Sequence, residues 1–177
     1  EVDYFRAQRA SAAARLRRAL PRTDPAGRWR VALRLAGVLR ESRSPQAARA
    51  AADTAEWLAP DDTARARAQL ERARALRDGR ATDAAFALYR DIAAHAPEAA
   101  IRASAWWELA REAQDRGRYA EARDAFARSA GAAGRRGEDA RLQAGLMCFV
   151  LGQPDSALAW WRGGGGEPTR FWYGVRL

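Results

Sequence analysis

Small and apolar residues recur along the chain in a pattern that repeats every 35 to 37 positions. One copy consists of Ala85, Tyr89, Ile92 and Pro97, spaced by 4, 3 and 5 residues, with another small residue, Ala73, twelve positions earlier. Spacings of three and four residues place side chains on one face of an α-helix, so each copy predicts the packed face of a helix. The matching positions elsewhere are Ala36, Ala48, Ala52, Ala55 and Pro60; Ala110, Ala122, Phe126, Ser129 and Gly134; and Gly145, Ala157, Trp161 and Gly164.

Each repeat predicts two helices joined by a short turn. The small residues allow the two helices to approach closely, and Pro60 and Pro97 end the second helix because proline cannot continue it. Turn-forming sequences fall between the helices, at 43–45, 78–80, 116–119 and 152–155. The pattern therefore predicts an all-α fold, an α-solenoid of antiparallel helix hairpins whose first helices line a concave face.

The repeat also predicts how the chain is organised. We expect an N-terminal basic helix and linker over 1–26, then four hairpins at 27–60, 61–97, 98–134 and 138–163. Residues 164–177 are expected to form a Gly-rich linker and the start of a further helix, because Pro168 suits a first helical turn.

Composition supports helices but weakens part of the repeat argument. Alanine occupies 45 of 177 positions, all 31 basic residues are arginine, and valine plus isoleucine total seven, which favours helix over strand. So many alanines make Ala-to-Ala matches common by chance, and an excess of arginine over lysine is typical of GC-rich coding sequence. The aromatic series Tyr89, Phe126 and Trp161 is therefore stronger evidence for the repeat.

The net charge of +9 is concentrated at one end of the chain. Residues 1–50 contain twelve arginines and four acidic residues, and a basic patch is predicted at Arg15, Arg17, Arg18 and Arg22. Such a patch is either a solvated helix face or a surface for an anionic polymer, an acidic partner or a membrane surface. Nucleic acid is not favoured, because aromatic residues are not interleaved with these arginines. No apolar run is long enough to span a membrane.

Few residues suit metal or nucleophilic chemistry. Cys148 and His95 are the only residues of their types, which excludes an intramolecular disulfide and any site that needs two imidazoles. Glu41–Ser42 and the segment that begins at Gly145 share letters with catalytic motifs, but the repeat places them at a turn and in a helix core. We therefore expect no catalytic residue, metal or cofactor in this chain.

Two pairs of adjacent tryptophans, 106–107 and 160–161, are expected to divide their roles. Neighbouring helix residues point about 100° apart, so we predict that the two members of a pair do not both point into the same core and that Trp107 and Trp160 face elsewhere. Trp106 and Trp161 occupy the repeat's packed positions. Trp107, Glu108 and Arg111 are then candidates for a ligand-binding groove, with Trp107 as an aromatic platform for sugar or peptide; the alternative is that Trp107 packs on a neighbouring unit.

The third repeat resembles the tetratricopeptide pattern at Trp106, Leu109, Ala110, Gly117, Tyr119, Ala122 and Phe126. The segments 105–113, 118–122 and 171–177, with paired aromatics followed closely by Gly or Ala and Arg, resemble the superhelical, U-shaped domain of soluble lytic murein transglycosylases. In that family an array of short α-hairpins precedes a catalytic domain that cleaves the glycan strand of peptidoglycan. The likeness is best over 61–177.

The resemblance implies a non-catalytic region that holds peptidoglycan or partner proteins near a catalytic domain, in the cell envelope or periplasm. The family's catalytic Glu and its Gly-Leu-Met-Gln segment have no match, so we expect them beyond Leu177. The alternative function is a stand-alone tetratricopeptide scaffold that binds other proteins. An anion-binding regulatory module is a third, weaker hypothesis.

Overall fold

A computed structural model describes residues 2–162 of the chain. Within that range it contains nine α-helices, one 3₁₀ helix (Leu20–Arg22) and no β-strand. This confirms the predicted all-α fold of helix hairpins, whereas the linker and helix predicted at 164–177 lie outside the described residues. The helices are α1 (Val2–Ala19), α2 (Arg28–Glu41), α3 (Pro45–Trp57), α4 (Asp62–Asp78), α5 (Thr82–His95), α6 (Ala99–Asp115), α7 (Tyr119–Ser129), α8 (Arg135–Val150) and α9 (Pro154–Arg162).

The chain divides into two compact units, the first ending at Pro97 and the second beginning at Glu98. In the first unit each helix packs on the next from α1 to α5, and α2 also packs on α4. In the second unit α6 packs on α7, α7 on α8 and α8 on α9. Each unit thus contains two successive hairpins, whose helices are antiparallel because the turns between them are short.

The same turn joins the two helices of all four hairpins. Its central residue adopts a left-handed conformation, with φ of 56° at Arg43, 66° at Arg80, 72° at Gly117 and 71° at Gly152. The amide of the following residue donates a hydrogen bond of 2.8–3.0 Å to the carbonyl five positions earlier, which is the Schellman arrangement. Glycine adopts this conformation without strain, so the two arginines are the strained members of the series.

Buried alanines and a few large side chains form the core. Tyr89 and Phe126 are fully buried and Trp161 is 6% exposed, so the aromatic series seen in the sequence lies inside the hairpins. At Gly145 the helices approach closely, because an added Cβ would lie 2.1 Å from the indole nitrogen of Trp161. Gly145 therefore has the packing role that the repeat predicts for it.

The helix ends follow local sequence. The side chain of Asp61 accepts a hydrogen bond of 2.7 Å from the amide of Ala64 and so caps the start of α4. Pro45 stands at the start of α3. The last helix pair begins earlier than the expected residue 138, because α8 starts at Arg135 directly after Gly134, whose φ is 74°. None of the helices in residues 2–162 combines the length and hydropathy needed to cross a membrane.

Candidate functional site: a groove between α2 and α4

An open groove of ≈ 490 Å³ lies between α2 and α4, the first helices of the two hairpins in the first unit. Its volume is within the range of ligand-binding clefts. The repeat explains why these helices supply the lining, since α2 and α4 present matching positions 37 residues apart, such as Leu33 and Leu70. The lining residues are Leu33, Arg34, Gly37, Val38, Arg40, Glu41, Arg67, Leu70, Glu71 and Arg74.

Four arginines and two glutamates give the groove lining a net positive charge. Glu71 forms ion pairs with two of the arginines: its carboxylate lies 3.3 Å from Nε of Arg40 and also contacts Arg74. Arg34 and Arg67 are exposed, and no described carboxylate is paired with Arg34. The groove can therefore offer at least one guanidinium that an anionic ligand need not share with the protein.

Gly37 lies in the middle of this lining. A Cβ added at Gly37 would have no heavy atom within 4 Å, so the space beside it belongs to the groove rather than to the core. The corresponding positions of the other repeats carry longer side chains, Arg74, Arg111 and Leu146. The first repeat is thus the one that leaves this position of the surface empty.

The predicted groove residues of the third repeat are not equally accessible. Trp107 is half-buried, with its ring 5.2 Å from that of Phe126 in an edge-on contact and the guanidinium of Arg136 5.4 Å from its centre. Glu108 is buried, with 8% of its surface exposed, and Arg111 is exposed. The role of these three residues in binding stays a prediction. The contacts of Trp107 with Phe126 and Arg136 are of the kind expected if this tryptophan serves packing rather than binding.

By repeat position, these three residues correspond to residues that line the α2–α4 groove. Trp107 matches Leu33 and Leu70, and Arg111 matches Gly37 and Arg74. The aromatic pattern of the sequence does not indicate this groove, because none of the described residues in its lining is aromatic. The signal that could have found it is a glycine within a helix at a position where other repeats carry arginine.

The prediction that the two tryptophans of a pair do not both point into the same core is wrong. Trp106 and Trp107 both pack against the cluster that contains Phe126 and Met147. Trp160 likewise packs beside Trp161 on the cluster that contains Cys148. These clusters combine residues of two or three helices, so they extend around enough of each helix to meet side chains that point about 100° apart.

Trp160 also lines an open groove of ≈ 510 Å³ in the second unit. The other described residues of this lining are Arg141, Ser156 and Ala159. An indole beside a guanidinium and a hydroxyl combines an apolar face with hydrogen-bond donors. This is the second surface on which a ligand could lie.

The predicted basic patch is exposed. Arg15, Arg17, Arg18 and Arg22 all have solvent-exposed side chains near the end of α1 and in the 3₁₀ helix that follows. Nε of Arg18 donates a hydrogen bond of 3.4 Å to the carbonyl of Ala14, its own helix neighbour. Both the solvated-face and the anion-binding interpretations remain predictions.

The other titratable candidates have structural partners. Nδ1 of His95 lies 3.0 Å from a carboxylate oxygen of Asp91, one helical turn away. Burial raises the pKa of the Cys148 thiol, with a lowering effect of Arg123 and a raising effect of Asp124. Among the described residues no group of three or more His, Cys, Asp or Glu side chains is placed to hold a metal ion.

Comparisons with protein families, with curated proteins and with solved structures found no match to this chain. The class that the structure defines is therefore the all-α fold of repeated helix hairpins.

Proposed function

We propose that this chain is a binding scaffold, and that the groove between α2 and α4 holds its ligand. The observation that carries the proposal is the composition of this groove. Leu33, Val38 and Leu70 give it apolar surface, and Arg34 and Arg67 add exposed cationic groups. Apolar surface with a few placed polar groups is typical of ligand sites.

Selection of peptides on the purified chain tests this proposal. A random peptide library is displayed on phage, and the selected peptides are measured against Arg34→Glu/Arg67→Glu. The proposal expects them to lose binding to this variant, and to keep it for Arg90→Glu, which removes an exposed arginine of α5. Unchanged binding to the groove variant would contradict the proposal, and loss on Trp107→Ala/Arg111→Ala would move the site to α6.

A second candidate function is the one the sequence resemblance implies, the murein-holding region of a cell-envelope lytic transglycosylase. The groove at Trp160 favours it, because an indole face can stack on a sugar ring while Arg141 and Ser156 bond its substituents. In this function the chain would lie in the periplasm and keep glycan strands near a catalytic domain.

Co-sedimentation with purified peptidoglycan sacculi tests the second candidate. We expect the chain to pellet with sacculi, and Trp160→Leu to pellet less while its circular dichroism is unchanged. Trp57→Leu is the matched control, because Trp57 is 84% exposed at the end of α3 and lies outside the Trp160 groove. A chain that stays in the supernatant, or equal losses for the two variants, would count against a murein site at Trp160.

A further inference from the structure

The packing of the fold does not account for the glycine at position 37. Glycine in the interior of a helix is less stable than alanine, because it loses more backbone freedom on folding. Gly145 has a reason for that cost, since the ring of Trp161 occupies the place of its Cβ. Gly37 has no such neighbour in residues 2–162, because none of their atoms outside its own stretch of helix lies within 4 Å of a Cβ built there. The described fold would gain stability from a side chain at Gly37, yet the position is empty.

The empty position is surrounded by groove residues of two kinds. Arg34, one turn earlier on α2, is exposed, and Arg67 of α4 is exposed on the same lining. Leu33, Val38 and Leu70 lie among them. Because glycine has no side chain, the main chain of a ligand can approach α2 closely at this position.

We infer that the space over Gly37 is filled by an extended acidic peptide, whose carboxylates pair with Arg34 and Arg67 and whose apolar side chains lie on the leucines. This inference rests on the proposed scaffold function and names its ligand. A guanidinium binds a carboxylate through two parallel hydrogen bonds, which gives these arginines a directional role.

The groove lining favours a peptide over a nucleic acid. Single-stranded nucleic acids bind where aromatic rings stack on successive bases, and none of the described residues that line this groove is aromatic. Glu41 and Glu71 would also repel a continuous row of phosphates, whereas a peptide can place apolar residues beside them. Side chains that alternate along an extended peptide match a lining that mixes leucine with arginine.

Fluorescence anisotropy with a defined probe tests the inference. The probe is a fluorescein-labelled peptide of ten residues in which Leu and Glu alternate, and its counterpart has Lys in place of Glu. We expect the Glu peptide to bind the wild-type chain in a salt-dependent manner and the Lys peptide not to bind. Gly37→Leu should weaken binding by about tenfold or more, the factor that 1.4 kcal/mol of lost contact produces.

Matched variants distinguish an effect on binding in the groove from an effect on the stability of the fold. Gly37→Leu should unfold at the same or a higher temperature than the wild type, because it replaces a helix glycine without a clash. Ala87→Leu makes a similar change at an exposed position of α5 outside the groove, and should leave the affinity unchanged. Arg34→Ala should weaken binding, whereas Arg90→Ala should not.

Three results would overturn the inference. They are a wild-type chain that does not bind the Glu peptide, a folded Gly37→Leu variant with wild-type affinity, and a single-stranded oligonucleotide that displaces the peptide at equal or lower concentration. The scaffold proposal can survive each of them. Library peptides without carboxylates that still depend on Arg34 and Arg67 would support a scaffold with a different ligand, and no selected peptides at all would reject both.

Discussion

Two glycines in helix interiors should respond in opposite directions to the same substitution. In Gly145→Ala the new Cβ would lie 2.1 Å from Nε1 of Trp161 and 2.6 Å from Cδ1, well inside van der Waals contact. Trp161 is 6% exposed and its Nε1 donates a hydrogen bond of 3.3 Å to the carbonyl of Leu142. The ring must therefore move by more than an ordinary packing adjustment, in a place where other side chains enclose it.

The expected change in the free energy of unfolding is the sum of two costs and one gain. Overpacking in a closed core costs about 1–3 kcal/mol. Displacing the indole also weakens its hydrogen bond, which is worth about 1 kcal/mol. Alanine returns about 1 kcal/mol through its helix propensity. We expect Gly145→Ala to lower the free energy of unfolding by about 1–3 kcal/mol, and Gly37→Ala, which meets nothing, to raise it by about 1 kcal/mol.

Equilibrium urea unfolding followed by far-UV circular dichroism measures both changes. A double-mutant cycle with Trp161→Leu identifies the cause, because Gly145→Ala should cost less once the indole is gone. If Gly145→Ala stabilised the protein as much as Gly37→Ala, the close contact with Trp161 would not exist. If its cost were the same with and without Trp161, another neighbour would have to be responsible.

Three further predictions concern the turns, the groove and the thiol. Arg80→Gly should stabilise the protein by about 0.5–1 kcal/mol and Gly117→Ala should destabilise it by about 1 kcal/mol, because both positions are left-handed; thermal unfolding measures both, and equal signs would contradict this reason. Glu71→Gln should tighten binding of the Leu-Glu peptide several-fold, since it removes a negative charge from the groove and one of the two carboxylates that Arg40 contacts; weaker binding in anisotropy would refute the pairing of peptide carboxylates with the groove arginines. Cys148 should react slowly with a disulfide reagent at pH 8 until urea unfolds the chain, because burial raises its pKa and denies access; a fast native reaction would be inconsistent with this burial.

Local sequence was enough to predict most of the hairpins. Residues three and four apart share a helix face, so the spacing of Ala85, Tyr89 and Ile92 identified a packed helix without knowledge of its partner. The turns were equally predictable, because glycine allows a left-handed backbone and proline fixes φ whatever the tertiary contacts. That Arg43 and Arg80 adopt the conformation of Gly117 was not predictable from arginine's own preference, since tertiary packing holds the turn.

The candidate site could be predicted only in part. The repeat indicated that first helices line a groove, and the positions of Trp107 and Arg111 match those that line the α2–α4 groove one and two repeats earlier. The sequence could not show which repeat forms an open groove, because that depends on which side chains pack against other residues. In the second unit Trp107 lies against Phe126 and Arg111 occupies the repeat position that Gly37 leaves open in the first unit.

The sequence by itself determined the helices, their turns and the all-α class, because these depend on residues within one or two turns of each other. The tertiary structure decided which charges are available. Glu71 pairs with Arg40, which is 31 positions away, and this contact exists only because α4 packs on α2. Arg34 is six residues from Arg40 on the same helix and equally charged, yet no described carboxylate is paired with it, so it is open to a ligand. A charge count measures how many guanidinium groups the chain carries, and packing determines which of them are still free to bind.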